Sequence, residues 1–241
     1  MADRAATRFV VDLGFTALAI ATGIATYVMS GTPDVPAQIC EGGGAPRYAE
    51  LYADHRLTVA VVIGELSGGA GDHNAWSYRA LVAALRERGY TETSRGHFAL
   101  DSTTIDVQLL PDDRATLGAA LTAALADHDV VYYTGHNQGG GLDIHAPDAY
   151  RVIMMDTCYS TQLYSPRLVG PARDVIGNRE RAVTGSIESL VTLVDGLRER
   201  AVWQPLVAEL DKRAQVRVRM RTGITPFDAA EDYSLDTRCS E

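Results

Sequence analysis

The feature that most constrains this chain is a pair of short, wholly apolar runs, Val130–Tyr133 and Val152–Met155. Each is closed by polar residues: Thr134-Gly135-His136 after the first and Asp156-Thr157-Cys158 after the second. Runs of this length, β-branched or aromatic and bounded by Gly or polar residues, read as buried strands. Their apolarity is continuous rather than alternating, the pattern of strands covered on both faces, as in a parallel sheet. The 17 residues from Gly135 to Arg151 meet the dozen or so that a parallel crossover needs, with little to spare. Laid side by side, such strands bring His136 and Cys158 to one carboxyl-end rim, where open α/β sheets build their sites. A thiol and an imidazole on one rim are the parts of a nucleophilic catalyst.

The rest of the chain supplies partners for these strands. Leu57–Ile63 (LTVAVVI) is a first buried strand, followed by Gly64-Glu65 and a Gly-rich loop up to Asn74. Ala75–Arg88 has the spacing of a helix laid on a sheet, stopped by Gly89. Thr104–Leu109 reads as a second strand, and Pro111-Asp112-Asp113 as a helix start. The stripe Leu117, Leu121, Ala124 and Leu125 follows it. After the paired runs, Arg181–Thr184 reads as a short fifth strand ending in Gly185-Ser186. Ile187–Arg200 and Val202–Arg213 read as helices, the second with Pro205 in its first turn, where proline is tolerated. Val216, Val218 and Met220 alternate with arginines, which suits a sheet-edge strand with one wet face. Thr161–Leu168, broken by Pro166 and followed by Pro171, shows no clear period. The sum is an α/β sandwich on a mostly parallel, six-stranded sheet, spanning residues 57–241. Residues 32–56, with Glu41-Gly42-Gly43-Gly44 among them, read as a linker, and residues 1–31 as a separate apolar segment.

That segment carries an uncharged stretch over residues 13–29, preceded by Arg4 and Arg8. This is the pattern of a signal peptide or membrane anchor. Seventeen residues is the short limit for a span, and Asp3 and Asp12 offset the arginines, which leaves a buried helix as the alternative. The expectation is an exported or membrane-anchored protein, held through residues 9–31, with a cytoplasmic location as the rival. The formal net charge of −9 argues against a nucleic-acid partner. Of three cysteines, Cys158 sits in the core pattern. Cys40 and Cys239 lie outside it, a disulfide in an oxidising compartment or two thiols in a reducing one. No spacing resembles a zinc site. Gly139-Gly140-Gly141 lacks the GxxxxGK[ST] phosphate loop, and there is no G-x-S-x-G elbow for a serine hydrolase. No metal and no cofactor is expected.

An apolar strand ending in His, then an apolar strand ending in Asp-x-Cys, resembles the clan CD cysteine peptidases: caspases, metacaspases, gingipains, clostripain and bacterial caspase-like proteins. The pieces that carry the resemblance are Val130-Val131-Tyr132-Tyr133-Thr134-Gly135-His136 and Ile153-Met154-Met155-Asp156-Thr157-Cys158-Tyr159-Ser160. The order of elements from Leu57 to Gly223 also fits. The resemblance implies a caspase-like three-layer α/β/α sandwich and a cysteine endopeptidase acting on a protein or peptide substrate. Cys158 would be its nucleophile and His136 its proton donor, with the backbone N–H groups of Cys158 and Asn137 holding the oxyanion. It places Asp156, two residues before the nucleophile, in the first specificity pocket, where metacaspases carry an aspartate and take Arg or Lys. A buried carboxylate needs a cation, and a substrate Arg can bind it bidentately. Glu65 or Asp72 could add a second carboxylate, and Ser186 opens the segment that binds substrate in the family. The bland alternatives are that Asp156 accepts backbone N–H bonds in its own turn and that Glu65 and Asp72 are solvated loop charges. Two departures stand out. Asn137 replaces the usual Gly after the His, and the 22 positions from His136 to Cys158 are fewer than in most relatives. They motivate a second reading, a catalytically silent caspase-like module that binds or regulates a partner. Activation by calcium, self-cleavage or a partner, and the oligomeric state, are left open by the sequence.

Overall fold

Apolar runs set the strands, and the two-residue period of each strand decides which layer a side chain serves. The computed structural model describes residues 44–64, 73–111, 113–179, 187–210 and 235–238, with side chains at all of these except 73–76 and 235–238. In chain order the elements are α1 (Tyr48–Leu51), β1 (Leu57–Gly64), α2 (His73–Glu87), β2 (Thr91–Ser94), β3 (His97–Leu100) and β4 (Thr103–Leu110). There follow α3 (Arg114–Asp127), β5 (Val130–Thr134), β6 (Arg151–Asp156), α4 (Ser160–Leu163), α5 (Ser165–Leu168), β7 (Arg173–Asn178) and α6 (Ile187–Arg198). Residues 203–210 form a further helix, α7, and β8 is Leu235–Arg238.

Among the described residues eight strands form one sheet in the order β2-β3-β4-β1-β5-β6-β7-β8. The five inner strands, β4, β1, β5, β6 and β7, run parallel to one another. The β2–β3, β3–β4 and β7–β8 pairs are antiparallel. The sheet therefore has two more strands than the six expected. Four of the eight were not expected, the hairpin β2–β3 on one side and β7 and β8 on the other, while two expected strands lie outside the described residues. The fifth parallel strand is β7, at Arg173–Asn178. Arg181–Thr184 and Val216–Met220, expected as strands, lie outside the described residues, as do residues 1–31, Cys40 and Cys239.

Alternation sorts the core into two clusters. Val59, Val61 and Ile63 of β1, Val130 and Tyr132 of β5, Val152 and Met154 of β6 and Ile176 of β7 pack with Leu81 and Leu85 of α2 and Leu190, Leu193 and Leu197 of α6. Trp203, Leu206 and Leu210 of α7 complete that layer. Ala60, Val62, Val131, Tyr133, Ile153, Met155 and Val175 face the other way, onto Leu117, Leu121 and Leu125 of α3 and onto Tyr164 and Leu168 around α4 and α5. The result is a three-layer α/β/α sandwich with a mostly parallel sheet in the middle, as the sequence pattern predicts. Asp113 caps α3: its carboxylate accepts the Thr116 N–H at 2.9 Å, and the Thr116 bonds draw its carboxyl below the usual range. Among the described residues no helix is long and apolar enough to cross a membrane.

A buried polar knot ties the chain ahead of β1 to the sheet. Asp174 of β7, 3% exposed, accepts the hydroxyl of Tyr150 at 2.5 Å and the indole N–H of Trp203 at 3.1 Å. The Tyr150 oxygen in turn accepts the Arg47 N–H at 3.1 Å, and the Arg47 guanidinium lies 5.3 Å from the Tyr150 ring centre. Burial, then the Asp174 charge, pushes the Tyr150 phenol upward. Asp174→Ala strands two buried donors, at about 1–3 kcal/mol each. Urea unfolding should show a loss of about 3 kcal/mol, and a loss under about 1 kcal/mol would mean that water replaces the carboxylate.

On the other side of β1, Asp106 of β4 bridges two imidazoles, His97 Nδ1 at 2.6 Å and His128 Nε2 at 3.0 Å. Burial raises its carboxyl, the hydrogen bonds from His128 and His97 outweigh burial, and the net shift is downward. A depressed carboxylate stabilises the fold above its unfolded pKa, and the gain is lost as pH falls through the folded value. Asp106→Asn should therefore lower the melting temperature at neutral pH. Thermal melts at a series of pH values should show the gap to wild type closing below the ordinary aspartate range.

Candidate active site

Parallel pairing brings the two loops together. Thr134 of β5 stands opposite Asp156 of β6, so His136 and Cys158 each lie two residues beyond the last paired position, on strands about 4.8 Å apart. Both strands are central and their core-facing residues are buried. On the His136 side the chain passes very close to its neighbour. A Cβ on Gly135 would sit 2.7 Å from the Tyr133 hydroxyl and 3.2 Å from Gly64 Cα. With no side chain there, Tyr133 threads its hydroxyl through the gap and donates to the His136 carbonyl at 2.9 Å. The His136 side chain is exposed at the rim.

Cys158 stands on a sharp turn. The Thr157 N–H donates to the Met155 carbonyl at 2.9 Å, a two-residue closure of the γ-turn type. Ser160 Oγ donates to the same carbonyl at 2.5 Å and accepts the Asn178 N–H at 2.7 Å, tying the ends of β6 and β7 together. Tyr159 has φ +55° and leads into α4. The left-handed region is uncommon for a residue with a bulky side chain. Such strain persists where the surroundings over-determine it, and it clusters at functional sites. The facing loop does the same at Gln138, φ +50°. Cys158 is half-buried, with its turn at the sheet rim rather than in the aliphatic core.

Asn137 joins the two loops. Its amide Nδ2 donates to the Cys158 carbonyl at 3.1 Å, and its Oδ1 accepts the Gly139 N–H at 3.1 Å. Its own carbonyl accepts the Tyr164 hydroxyl at 2.5 Å and the Gly140 N–H at 2.9 Å. Burial pushes the Tyr164 phenol up to about 12, so that hydroxyl remains a donor throughout the neutral range. The short β5–β6 connection contains one 3-10 turn, Gln138–Gly140, and no longer helix. Beyond that turn the chain lays Leu142, fully buried, against the α3 layer.

Asp156 is fully buried. Alternation puts it on the α2/α6 face with Tyr132, whose hydroxyl donates to Asp156 Oδ2 at 2.5 Å. Between it and Cys158, Thr157 Oγ1 is buried with no hydrogen-bond partner among the described residues. Of the residues singled out in the sequence, His136, Asn137, Asp156 and Cys158 come together at one sheet edge. Glu65, Asp72 and Ser186 lie outside the described residues. Among the described residues no group of three His, Cys, Asp or Glu is arranged to hold a metal ion. Sequence reasoning passed over Tyr132, Tyr133 and Tyr164, all counted there as strand or loop content. The signal was present: a buried tyrosine in an apolar run must bring its O–H to an acceptor, and each of these brings it to the site. No protein-family model matches the sequence, and no curated protein matches it.

Proposed function

We propose that this protein is a cysteine endopeptidase of the caspase-like kind that cleaves after Arg, or Lys. The observation that carries the reading is the parallel register of β5 and β6, which aligns the His136 and Cys158 loops on one rim. In this reading the Cys158 sulfur, as thiolate, attacks the scissile carbonyl carbon, and the carbonyl π electrons move to oxygen. The backbone N–H groups of Asn137 and Cys158 receive the resulting oxyanion. His136 gives its proton to the departing amine as the C–N bond breaks. Water, deprotonated by the same imidazole, then cleaves the thioester and releases the carboxylate product and the thiol.

Asp156 supplies the specificity in this proposal. Tyr132 orients the carboxylate through one oxygen, and a carboxylate at this position suits a substrate guanidinium, which binds such a group through charge-assisted hydrogen bonds. Export or membrane attachment through residues 9–31 belongs to the same proposal, since secretion would bring the enzyme to its protein substrates. The test is turnover of Arg-, Lys- and Asp-type fluorogenic peptides by wild type and by Cys158→Ala. Turnover of Arg peptides that Cys158→Ala loses supports the reading. Equal activity in the two proteins removes the mechanism, and activity on Asp peptides alone removes the specificity.

A further inference from the structure

We infer that the side-chain amide of Asn137 is a positioning group for the Cys158 turn, an assignment that rests on the peptidase reading of the site. Only the backbone of this residue enters that reading, and the resemblance expects a glycine here, which has no side chain to contribute. In this chain the side chain is used at both ends. Accepting the Gly139 N–H through Oδ1 identifies the oxygen end of the amide, which turns Nδ2 to the Cys158 carbonyl. The residue bearing it has ordinary helical angles, φ −71° and ψ −5°. Its neighbour Gln138 and Cys158's neighbour Tyr159 do not: both are left-handed without being glycine. The amide thus spans two strained backbone positions, one on each loop, and each follows directly after a residue that the amide joins. Strain of this sort is held by its surroundings. The short connection has one 3-10 turn and no longer helix, and of the side chains that brace it, with Tyr133 on the His136 carbonyl and Arg167 on the Gly140 carbonyl, Asn137 is the one that reaches the Cys158 carbonyl. Tyr164, reaching the Asn137 carbonyl from between α4 and α5, backs the same residue from behind.

The decisive variant is Asn137→Asp, which keeps the shape and the bond from Gly139 but has no N–H to give. As a carboxylate it faces the Cys158 carbonyl oxygen with like polarity. At neutral pH kcat on an Arg peptide should fall roughly tenfold with KM changed less than about threefold, the signature of a misplaced reacting group. As pH is lowered through the aspartate range the acid O–H donates again, and the ratio of variant to wild-type kcat should recover. Asn137→Ala should lose as much and recover nothing. Tyr164→Phe, which keeps the ring, should show a smaller loss in the same direction, and it serves if Asn137→Asp does not fold. Hydrogen exchange followed by mass spectrometry gives a reading independent of turnover. Residues 157–160 should exchange faster in Asn137→Asp, with β1 unchanged. Unaltered kcat, or equal losses in the Asp and Ala variants at every pH, overturns the inference. If wild type turns over no faster than Cys158→Ala, the peptidase reading fails by itself. Exchange then decides the bracket: faster exchange confined to the turn supports it, and unchanged exchange overturns it.

Discussion

Cys158→Ala is expected to lower kcat/KM on Arg peptides by three orders of magnitude or more while leaving the fold standing. Removal of a covalent nucleophile eliminates the acyl-enzyme route altogether, and what remains is the smaller contribution of binding and oxyanion stabilisation. His136→Ala should fall nearly as far, and the double variant little further, because a dyad acts as a unit and its losses do not add. The structural consequences should be small. His136 is exposed and Cys158 only half-buried, so truncating either should cost about 1 kcal/mol or less, measured by urea unfolding. A thiol-reactive probe carrying an Arg side chain should label wild type once, at Cys158, and should label His136→Ala poorly. A silent binding module would show neither the labelling nor the turnover.

Asp156→Asn tests the acidic pocket with nearly constant shape. Its amide oxygen can still accept the Tyr132 hydroxyl, so that buried bond should survive. What disappears is the negative charge. A charge-assisted bond contributes about 1.5–3 kcal/mol against about 1 for a neutral one. Over the two bonds of a bidentate guanidinium, Arg-peptide kcat/KM should drop roughly 100-fold, with a smaller drop on Lys peptides, whose ammonium makes no bidentate contact. Asp peptides should gain nothing. Arg turnover that stays at the wild-type level would make Asp156 a structural acceptor at the end of β6, with the Tyr132 hydroxyl among its donors.

The central strands were readable because they are apolar on both faces. Leu57–Ile63, Val130–Tyr133 and Val152–Met155 have no wet side to blur their limits, and each falls inside an observed strand. The helices at 73–87, 114–127 and 187–198 were readable from their spacing and from stops such as Gly89. The outer strand β2 and the inner strand β7 were not. Thr91–Ser94 is polar throughout and mostly exposed, so nothing in its pattern separates it from a loop; pairing with β3 alone makes it a strand. β7 carries Val175 and Ile176 between Asp174 and Asn178, polar residues that normally mark a strand's end. Here both are buried: the Asp174 carboxylate is satisfied inside the Tyr150–Trp203 knot, and the Asn178 backbone N–H donates to Ser160, and no local pattern announces polar residues held by distant parts of the chain. At the candidate site the reactive residue types could be read from the motif. The part played by the Asn137 side chain could not, because its bond to Cys158 spans 21 positions and depends on how the two loops face one another.

Gly64 and Gly135 stand back to back where β1 and β5 end, and this has a bearing on how the protein fails. In the proposed peptidase the His136 and Cys158 loops follow directly on inner parallel strands, so their alignment should survive fraying at the periphery and vanish only with collapse of the sheet itself. Inactivation by heat or denaturant should then track global denaturation, making catalytic survival a direct gauge of how much of the molecule is still native.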